Sequence, residues 1–407
     1  MQSDLWLLVS ALLVFLGLVA SQGLLLVVGS LVIIIWLATR LWGRYAFRRV
    51  SHARSLSRHR AFIGDSLEYT VTLSNDKLLP LIWVDIQDAF PEGLELPGAN
   101  LRASNMEGTR QHGITTSLLP FQQVTWTYAL HCAARGYHRI GPVRLRSGDI
   151  FGFSAAETKL TEMDYVLVYP RIVDLGQLAL PAEHPLGTGA GRHPLHRDTT
   201  RFMGQREYHP TDPMKHIDWK ATARTSQLQT KVFEPIVSLN VLVALNATTS
   251  EHPWEGTNRR LFERAVTVAA SAAEHASRQG YSFGVVSNAV ATYSGKWLSV
   301  PVGAASSQLS LVLEALAMAG PYAVTSLTRV LQSERGSMPP GTTVVLVTAV
   351  ITGTLAQDVA VMKERGYRVL VLYAGDGGPE LKIPDVPVFL AGPALDPLEE
   401  NERLLAN

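Results

Sequence analysis

The alternation of apolar and polar positions changes character three times along the chain. From Leu5 to Ala38 no residue is charged, and the run is rich in Leu, Val and Ile with one polar break at Ser21-Gln22-Gly23. A single helix over this stretch would be about 50 Å long, well beyond the hydrocarbon core of a bilayer, which two helices of about 16 to 18 residues can just span. The break therefore predicts a tight two-helix transmembrane hairpin in residues 1–42, with Trp6, Trp36 and Trp42 near its outer ends, where indoles favour the interface. Arg40, Arg44, Arg48, Arg49, Arg54, Arg58 and Arg60 follow with no acid between the first and the last. By the positive-inside rule this basic juxtamembrane segment, 43–61, stays cytoplasmic, as do both ends of the hairpin and the domains that follow. Its arginines suit anionic lipid heads. A cleaved signal sequence would need a basic start, and the charge ahead of the apolar run is Asp4. The expected location is the inner membrane, with two spans and the soluble domains in the cytoplasm.

Over 62–174 the pattern shortens to alternating or β-branched runs: LEYTVTL from Leu67, LIWVDI from Leu81, QVTWTYAL from Gln123 and YVLVY from Tyr165. Turn-prone pairs such as Gly64-Asp65, Asn75-Asp76, Pro97-Gly98 and Gly141-Pro142 separate them. This predicts an all-β, sandwich-like domain. His131 and His138 flank a turn there without a plausible carboxylate or cysteine partner, and read as ordinary histidines. Residues 175–203 are rich in Pro, Gly and His and predict a linker. Its Gly187-Thr188-Gly189-Ala190-Gly191 has neither the preceding strand nor the Gly-Lys-Ser/Thr of a phosphate loop. His193 and His196 have Asp198 as their nearby carboxylate, and Pro194 breaks a helical presentation.

From Leu239 the pattern changes again. The short apolar runs LNVLVAL, YSFGVV, TVVLV and YRVLVL suit strands buried on both faces. Helical patterns at Arg260–Gln279, Leu309–Met318 and Leu355–Arg365 separate them, the last ended by Gly366. Such alternation predicts an α/β, doubly wound, mainly parallel sheet over 236–395, followed by a tail, 396–407.

Composition narrows the functions. A length of 407 residues suggests two to three folded units at roughly 150 residues each. Lys plus Arg number 36 and Asp plus Glu 35, a net charge of +1 that supplies no bulk field for nucleic acid. Hydrophobic residues at 47% against 17% charged exclude a disordered chain. The lone Cys132 excludes an internal disulfide, CxxC redox chemistry and multi-cysteine zinc sites.

The densest chemistry lies in 204–235, whose sequence from Gly204 to Glu234 is GQREYHPTDPMKHIDWKATARTSQLQTKVFE. Arg206, Glu207, Asp212, Lys215, Asp218, Lys220 and Arg224 mix both signs and are interleaved with Tyr208 and Trp219, side chains that are normally buried. Buried ions need partners, so an internal network is expected, with Arg206 or Arg224 meeting Asp218 or Glu207. His209 and His216 do not define a nucleophile–base pair, and no catalytic residue is assigned. A hydrolase using Glu207, Asp212, Asp218 and these histidines is the less favoured alternative.

This segment resembles the family catalogued as domain of unknown function 58. Its hallmark is Gly-x-Arg-Glu-Tyr-x-Pro-x-Asp leading into Ile-Asp-Trp and Ala-Arg, here Gly204, Arg206, Glu207, Tyr208, Pro210, Asp212, Ile217, Asp218, Trp219, Ala223 and Arg224. Thr211 replaces a usual Gly, and Pro235-Ile236 stand where a further acid is frequent. The runs Arg135–Phe153 and Val168–Val173 and the apolar start extend the likeness. The resemblance implies that 236–395 is a von Willebrand factor A-like domain. Such domains hold magnesium with Asp-x-Ser-x-Ser and a later Asp, whereas this chain has Asn246, Thr248, Ser250 and Ala349 at those positions. Mg²⁺ asks for carboxylate charge, so neither metal nor cofactor is expected, and Asn246, Thr248 and Ser250 are expected to satisfy loop backbone instead. The resemblance further implies a membrane-anchored, non-enzymatic adaptor or scaffold. It would work with a MoxR-type AAA+ ATPase in assembling or maturing other complexes, with ATP hydrolysis left to the partner because no Walker A motif is present. Gly204, Arg206, Glu207, Tyr208, Asp212, Asp218, Trp219, Lys220, Arg224 and Glu234 then serve structure or interaction. Metal-dependent ligand binding or adhesion through the A-type domain is the alternative.

Overall fold

The computed structural model describes residues 2–104, 108–149, 155–174, 197–209, 214–235, 240–336, 338–339, 341–392 and 395–396. The loop 187–191, His193, His196, Pro210, Thr211, Asp212, Ile236 and the tail beyond 396 lie outside the described residues, as do the side chains of Trp6 and Glu234. The chain divides into two units at Pro170 and Arg171.

The first unit begins with helices α1 (Gln2–Val19) and α2 (Gly23–Tyr45). The polar break makes the turn between them, with Ser21 in the left-handed region at φ 53°. Two glycines let the helices close on each other. A Cβ on Gly29 would lie 2.6 Å from Val14 Cγ2 and 3.0 Å from Val14 N, and one on Gly17 would lie 2.9 Å from Leu26 N. Small residues at such contacts allow backbones to approach. Helix α2 is long and apolar enough to cross a membrane.

Twelve described strands follow: β1 (Val50–Leu56), β2 (Arg60–Phe62), β3 (Ser66–Asn75), β4 (Leu81–Pro91), β5 (Leu94–Glu95), β6 (Leu101–Ala103), β7 (Thr109–Leu118), β8 (Gln123–Cys132), β9 (Gly136–Ile140), β10 (Val143–Gly148), β11 (Ala155–Leu160) and β12 (Asp164–Tyr169). They form sheets ordered β1-β3-β8-β5 and β11-β10-β4-β7-β6, with a smaller β2-β12-β9. The first two share one core, because period-2 alternation turns Leu67, Tyr69, Val71 and Leu73 of β3 and Val84, Ile86 and Phe90 of β4 inward. Each such side chain contributes about 1.5–3 kcal/mol of burial.

Two expectations need correction here. The segment 43–61, expected as a basic juxtamembrane segment ahead of the β domain, is itself part of the folded unit. It contains the end of α2 and the strand β1, and Arg54 points inward because Asp88 and Asp164 wait for it, at 3.1 and 2.9 Å. Trp42, expected near the membrane interface, is not an exposed indole. It is 9% exposed and, with Ala46, belongs to the core of the β sheets.

The second unit opens with β13 (Arg197–Glu207), which pairs antiparallel with β14 (Gln229–Pro235) around the short helix α3 (Trp219–Thr225). The linker expected to end at 203 therefore gives way to a strand at Arg197, where pairing with β14 satisfies its backbone. The remaining elements are β15 (Asn240–Leu245), α4 (Arg259–Arg278), β16 (Ser282–Ala291), β17 (Trp297–Gly303), α5 (Gln308–Ala317), β18 (Ala319–Ala323), α6 (Leu327–Ser333), β19 (Thr343–Thr348), α7 (Gly353–Glu364), β20 (Arg368–Tyr373) and β21 (Val388–Leu390). The sheet runs β17-β16-β15-β19-β20-β21. From β16 to β21 every pairing is parallel, and β17 and β18 add antiparallel neighbours to β16. Leu242, Ala244, Val344, Leu346, Val369 and Val371 pack on α6 and α7. The alternate residues Val241, Val243 and Leu245 are buried on the opposite face, where α4 lies against β15, β16 and β19.

Candidate functional site

In an open parallel sheet, the carboxyl ends of the strands are where ligands gather. Register pairs Leu245 with both Ser287 and Val347, so the next residue on each strand, Asn246, Asn288 and Thr348, falls in one row across the sheet. All three are buried. Asn246 Nδ2 donates to Thr348 Oγ1 at 3.1 Å, and Thr348 Oγ1 donates onward to Val350 O at 2.7 Å. Asn246 Oδ1 accepts from Asn288 Nδ2 and from Thr248 N, both at 3.2 Å. Asn288 Nδ2 also donates to Thr325 O at 3.0 Å, and its Oδ1 accepts from Ala247 N at 2.8 Å. Every amide atom in the row has a partner, and the row carries no charge. Each bond contributes about 1 kcal/mol net, whereas a buried group left unsatisfied costs about 1–3 kcal/mol.

This donor set does not fit magnesium. The one carbonyl oxygen of Asn246 already accepts twice, the Thr348 hydroxyl is committed to Val350 O, and Ala349, buried at the next position, brings no oxygen-bearing side chain. Ser250 closes its own loop, donating to His252 O at 3.1 Å and Gly256 O at 2.8 Å. Thr248 joins through its backbone N–H. Charge near this edge is held by arginines: buried Arg264 of α4 pairs with Asp376 at 2.8 Å and with Asp396, and Arg260 also meets Asp376. Asn288 was not among the residues expected here, whereas Asn246 to Ser250 and Thr348 to Ile351 were expected at this edge of the sheet. The polar pair Ser287-Asn288 inside the apolar run SFGVVSNAVA was the available signal.

The segment 204–235 folds as a strand–helix–strand unit, and Asp218 sets it. Its Oδ1 accepts from Lys220 N at 3.1 Å and Ala221 N at 3.2 Å, capping α3, while Oδ2 accepts from Gln205 Nε2 of β13 at 3.0 Å. Asp218 N donates to Gln229 O of β14 at 2.8 Å, so one residue ties helix, strand and strand together. These donors, Ala221 N–H first, hold its carboxyl below the usual carboxylate range. The carboxylate expected to meet a guanidinium thus meets N–H groups. Arg206 Nη1 donates to Glu207 O at 3.1 Å, and Lys220 and Arg224 are exposed. Trp219, expected inside, is 67% exposed, because its place one residue after the cap turns it outward. Gly204 and Tyr208 lie on and just beyond β13, where Tyr208 N donates to Leu228 O at 2.8 Å.

The β sheets hold a second polar centre. Asp88 stands on the inward row Val84, Ile86, Asp88, Phe90 and is 2% exposed. Arg54 Nη1 meets its Oδ1 at 3.1 Å, Tyr69 OH donates to Oδ2 at 2.7 Å, and Arg54 Nη2 donates to Glu162 O at 2.6 Å. Burial pushes the Asp88 carboxyl up, while Arg54 and the Tyr69 hydroxyl pull against it. His131 Nδ1 bonds Ser66 Oγ at 2.8 Å and His138 Nε2 bonds Ala134 O at 2.8 Å, structural roles for both. Buried Cys132 has its thiol raised to about 11, chiefly by desolvation.

Together these features define a protein of two units, one all-β behind an apolar helical hairpin and one α/β with an amide-sealed sheet edge. Residues 204–386 match the model of a family described as protein of unknown function DUF58, which supports the resemblance carried by Gly204 to Glu234. An uncharacterized protein of Bacillus subtilis (strain 168), YeaD, is 29% identical over 343 residues, which is 83% of this chain and 79% of that protein. Among solved structures, a cohesin module from a Clostridium perfringens family 33 glycoside hydrolase is 8% identical over 29% of this chain and 96% of its own, with a TM-score of 0.23. The bacterial hydrophobin BslA is 15% identical over 29% of this chain and 98% of its own, with a TM-score of 0.18. Scores this low carry no structural argument.

Proposed function

We propose that the chain is a membrane-anchored, non-enzymatic scaffold whose α/β unit is a von Willebrand factor A-like domain working without a metal. The observation that carries this reading is the Asn246–Asn288–Thr348 row. At the place where such a sheet would hold a cation or a reacting group, neutral side chains satisfy one another, which leaves the unit a surface to present. The anchor is the helical hairpin, with α1 and α2 as two spans, the basic flank inside and both units in the cytoplasm of a bacterial cell. The glycine-mediated closeness of the helices and the short turn between them support two spans over one. Because Trp42 and Ala46 belong to the β core, the helix passes its position directly to the first unit.

The partner follows from the family resemblance: a MoxR-type AAA+ ATPase, which would supply the hydrolysis while this chain holds it or its cargo at the membrane. Detergent-solubilised pull-down of the full chain, with and without ATP, followed by mass spectrometry, tests this. Enrichment of an AAA+ ATPase in either condition is the expected result, and its absence from both removes the adaptor reading. Protease protection in inside-out vesicles tests the topology, and digestion of both units is expected.

A further inference from the structure

One end of the β unit gathers three features that the scaffold reading does not use. The last turns of α2 and the neighbouring β loops enclose an open cavity of about 440 Å³, walled by Ala38, Leu41, Trp42, Tyr45, Leu79 and Asp149. The wall is almost wholly apolar, yet Trp42 Nε1, on a side chain more than nine-tenths buried, has no acceptor. Asp149, also buried, brings a carboxylate into the same wall. Beside it, the loops after β3 and β7 expose Leu78, Leu119 and Phe121 at 78%, 63% and 67%. Buried Asn75 clips those two loops together, its Nδ2 donating to Leu79 O at 3.1 Å and Leu119 O at 2.9 Å. Asp76 N donates to Arg49 O at 2.9 Å and so fastens the rim to the chain leaving α2.

Depth in the bilayer connects these observations, given the reading that α2 spans it. About 20 residues of helix cross the hydrocarbon core, so counting from Gly23 the cavity lies where acyl chains meet headgroups. A rim of three exposed large apolar side chains is costly in water and favourable at that depth. We propose that this cavity is a binding site for a phospholipid with an ethanolamine headgroup, taken from the cytoplasmic leaflet. The acyl chain lies along Ala38, Leu41 and Leu79, an ester or phosphate oxygen accepts from Trp42 Nε1, and the ammonium faces Asp149. Exposed Arg44, in the same helical turn, suits the phosphate. An anionic headgroup without an amine would set its charge against the Asp149 carboxylate.

The test uses the full chain. Membrane fractionation comes first, and a chain found in the soluble fraction overturns both the spanning reading and the lipid site. The membrane-inserted chain is then reconstituted in nanodiscs of equimolar phosphatidylethanolamine and phosphatidylglycerol and delipidated gently. Native mass spectrometry identifies what stays. The expected result is phosphatidylethanolamine retained over phosphatidylglycerol by about fivefold, the factor one partly exposed ammonium–carboxylate pair supplies. Asp149→Asn is expected to abolish the preference while lipid is still held. Ala38→Phe, at an exposed helix position, is expected to fill the cavity and expel the lipid without disturbing the β core, which a thermal melt checks. An inserted native chain that retains no lipid, retains both equally, or retains a peptide instead overturns the lipid site and leaves the spanning reading standing.

Discussion

The two units each bury a polar centre, and they do it by opposite means. In the β unit, Asp88, Arg54 and Asp164 are charged groups held by one another and by Tyr69. In the α/β unit, Asn246, Asn288 and Thr348 are neutral and form a closed set of hydrogen bonds. The first arrangement is strong only while every partner is present, since the desolvation cost of each ion is already committed. The second resists changes in pH and cation concentration because nothing in it titrates. The largest predicted effect therefore comes from breaking the ionic centre. Asp88→Ala leaves Arg54 buried with Asp164 alone as its carboxylate and is expected to cost the β unit about 3–5 kcal/mol. Asp88→Asn, which keeps an acceptor for Tyr69, is expected to cost less. Hydrogen exchange across β3 and β4 in the solubilised chain measures both, and a change below 1 kcal/mol, about fivefold in protection, would mean the pair is not what organises this core.

The counterpart in the α/β unit is to put a charge where none exists. Asn246→Asp removes the donor to Thr348 and buries a carboxylate beside a hydroxyl already committed to Val350 O, at an expected cost of about 1–3 kcal/mol. Magnesium is expected to leave the melting temperature of the native chain unchanged. It should rescue Asn246→Asp weakly or not at all, because Ala349 supplies no second carboxylate. Micromolar magnesium binding by the native chain, seen by calorimetry, would restore the metal-dependent reading of the sheet edge.

Acid sharpens the contrast further. In the β unit His52, half-buried, is pulled down to about 4, first by burial and then by the Arg54 charge. Buried His112 and half-buried His138 are lowered by burial as well, and both ring nitrogens of His112 lack partners between Phe90 and Tyr128. A histidine whose folded value lies below its free value stays neutral while the unfolded chain takes up a proton. Its contribution is therefore complete above about 6.5 and is lost as pH falls toward the folded value. Asp88, raised by burial, works in the opposite sense, so the histidine share is read as a difference between proteins. His112→Phe is expected to narrow the loss of β-unit stability between neutral pH and pH 5. Identical pH profiles for the two chains would show that His112 finds a partner in solution.

Much of this was legible in the sequence, for physical reasons that can be located. The Ser21-Gln22-Gly23 break, the strands beginning at Leu67, Leu81 and Gln123, and the stop at Gly366 follow local patterns, and the structure puts turns, strands and a helix end there. What escaped depended on distant partners. Arg54 reads as one of seven arginines until Asp88, on the inward row of another strand, is brought to it. Trp42 reads as an exposed interfacial indole, and its burial shows only once the β core closes over it. Asn288 sits inside an apolar strand, and only sheet register sets it beside Asn246 and Thr348.

The smallest predicted effect lies in the segment that carries the family resemblance, and it separates a structural from a chemical role. Asp218 accepts from Lys220 N, Ala221 N and Gln205 Nε2, so its charge is spent on the start of α3 and on β13. Asp218→Ala is expected to fray α3 and lower the melting temperature slightly, with faster amide exchange at Lys220 and Ala221. Asp218→Asn, which keeps the acceptor and loses the charge, should fall between it and the native chain. Because the carboxyl is held below its ordinary value, its contribution is present above the free carboxyl range near about 3.9 and is lost as pH falls through the depressed one. The native chain and Asp218→Asn should therefore converge in acid. A residue reserved for catalysis behaves otherwise, since its neutral variant folds as well as the native chain or better. Unchanged exchange at Ala221 in Asp218→Ala would thus turn this carboxylate from a cap into a candidate for chemistry.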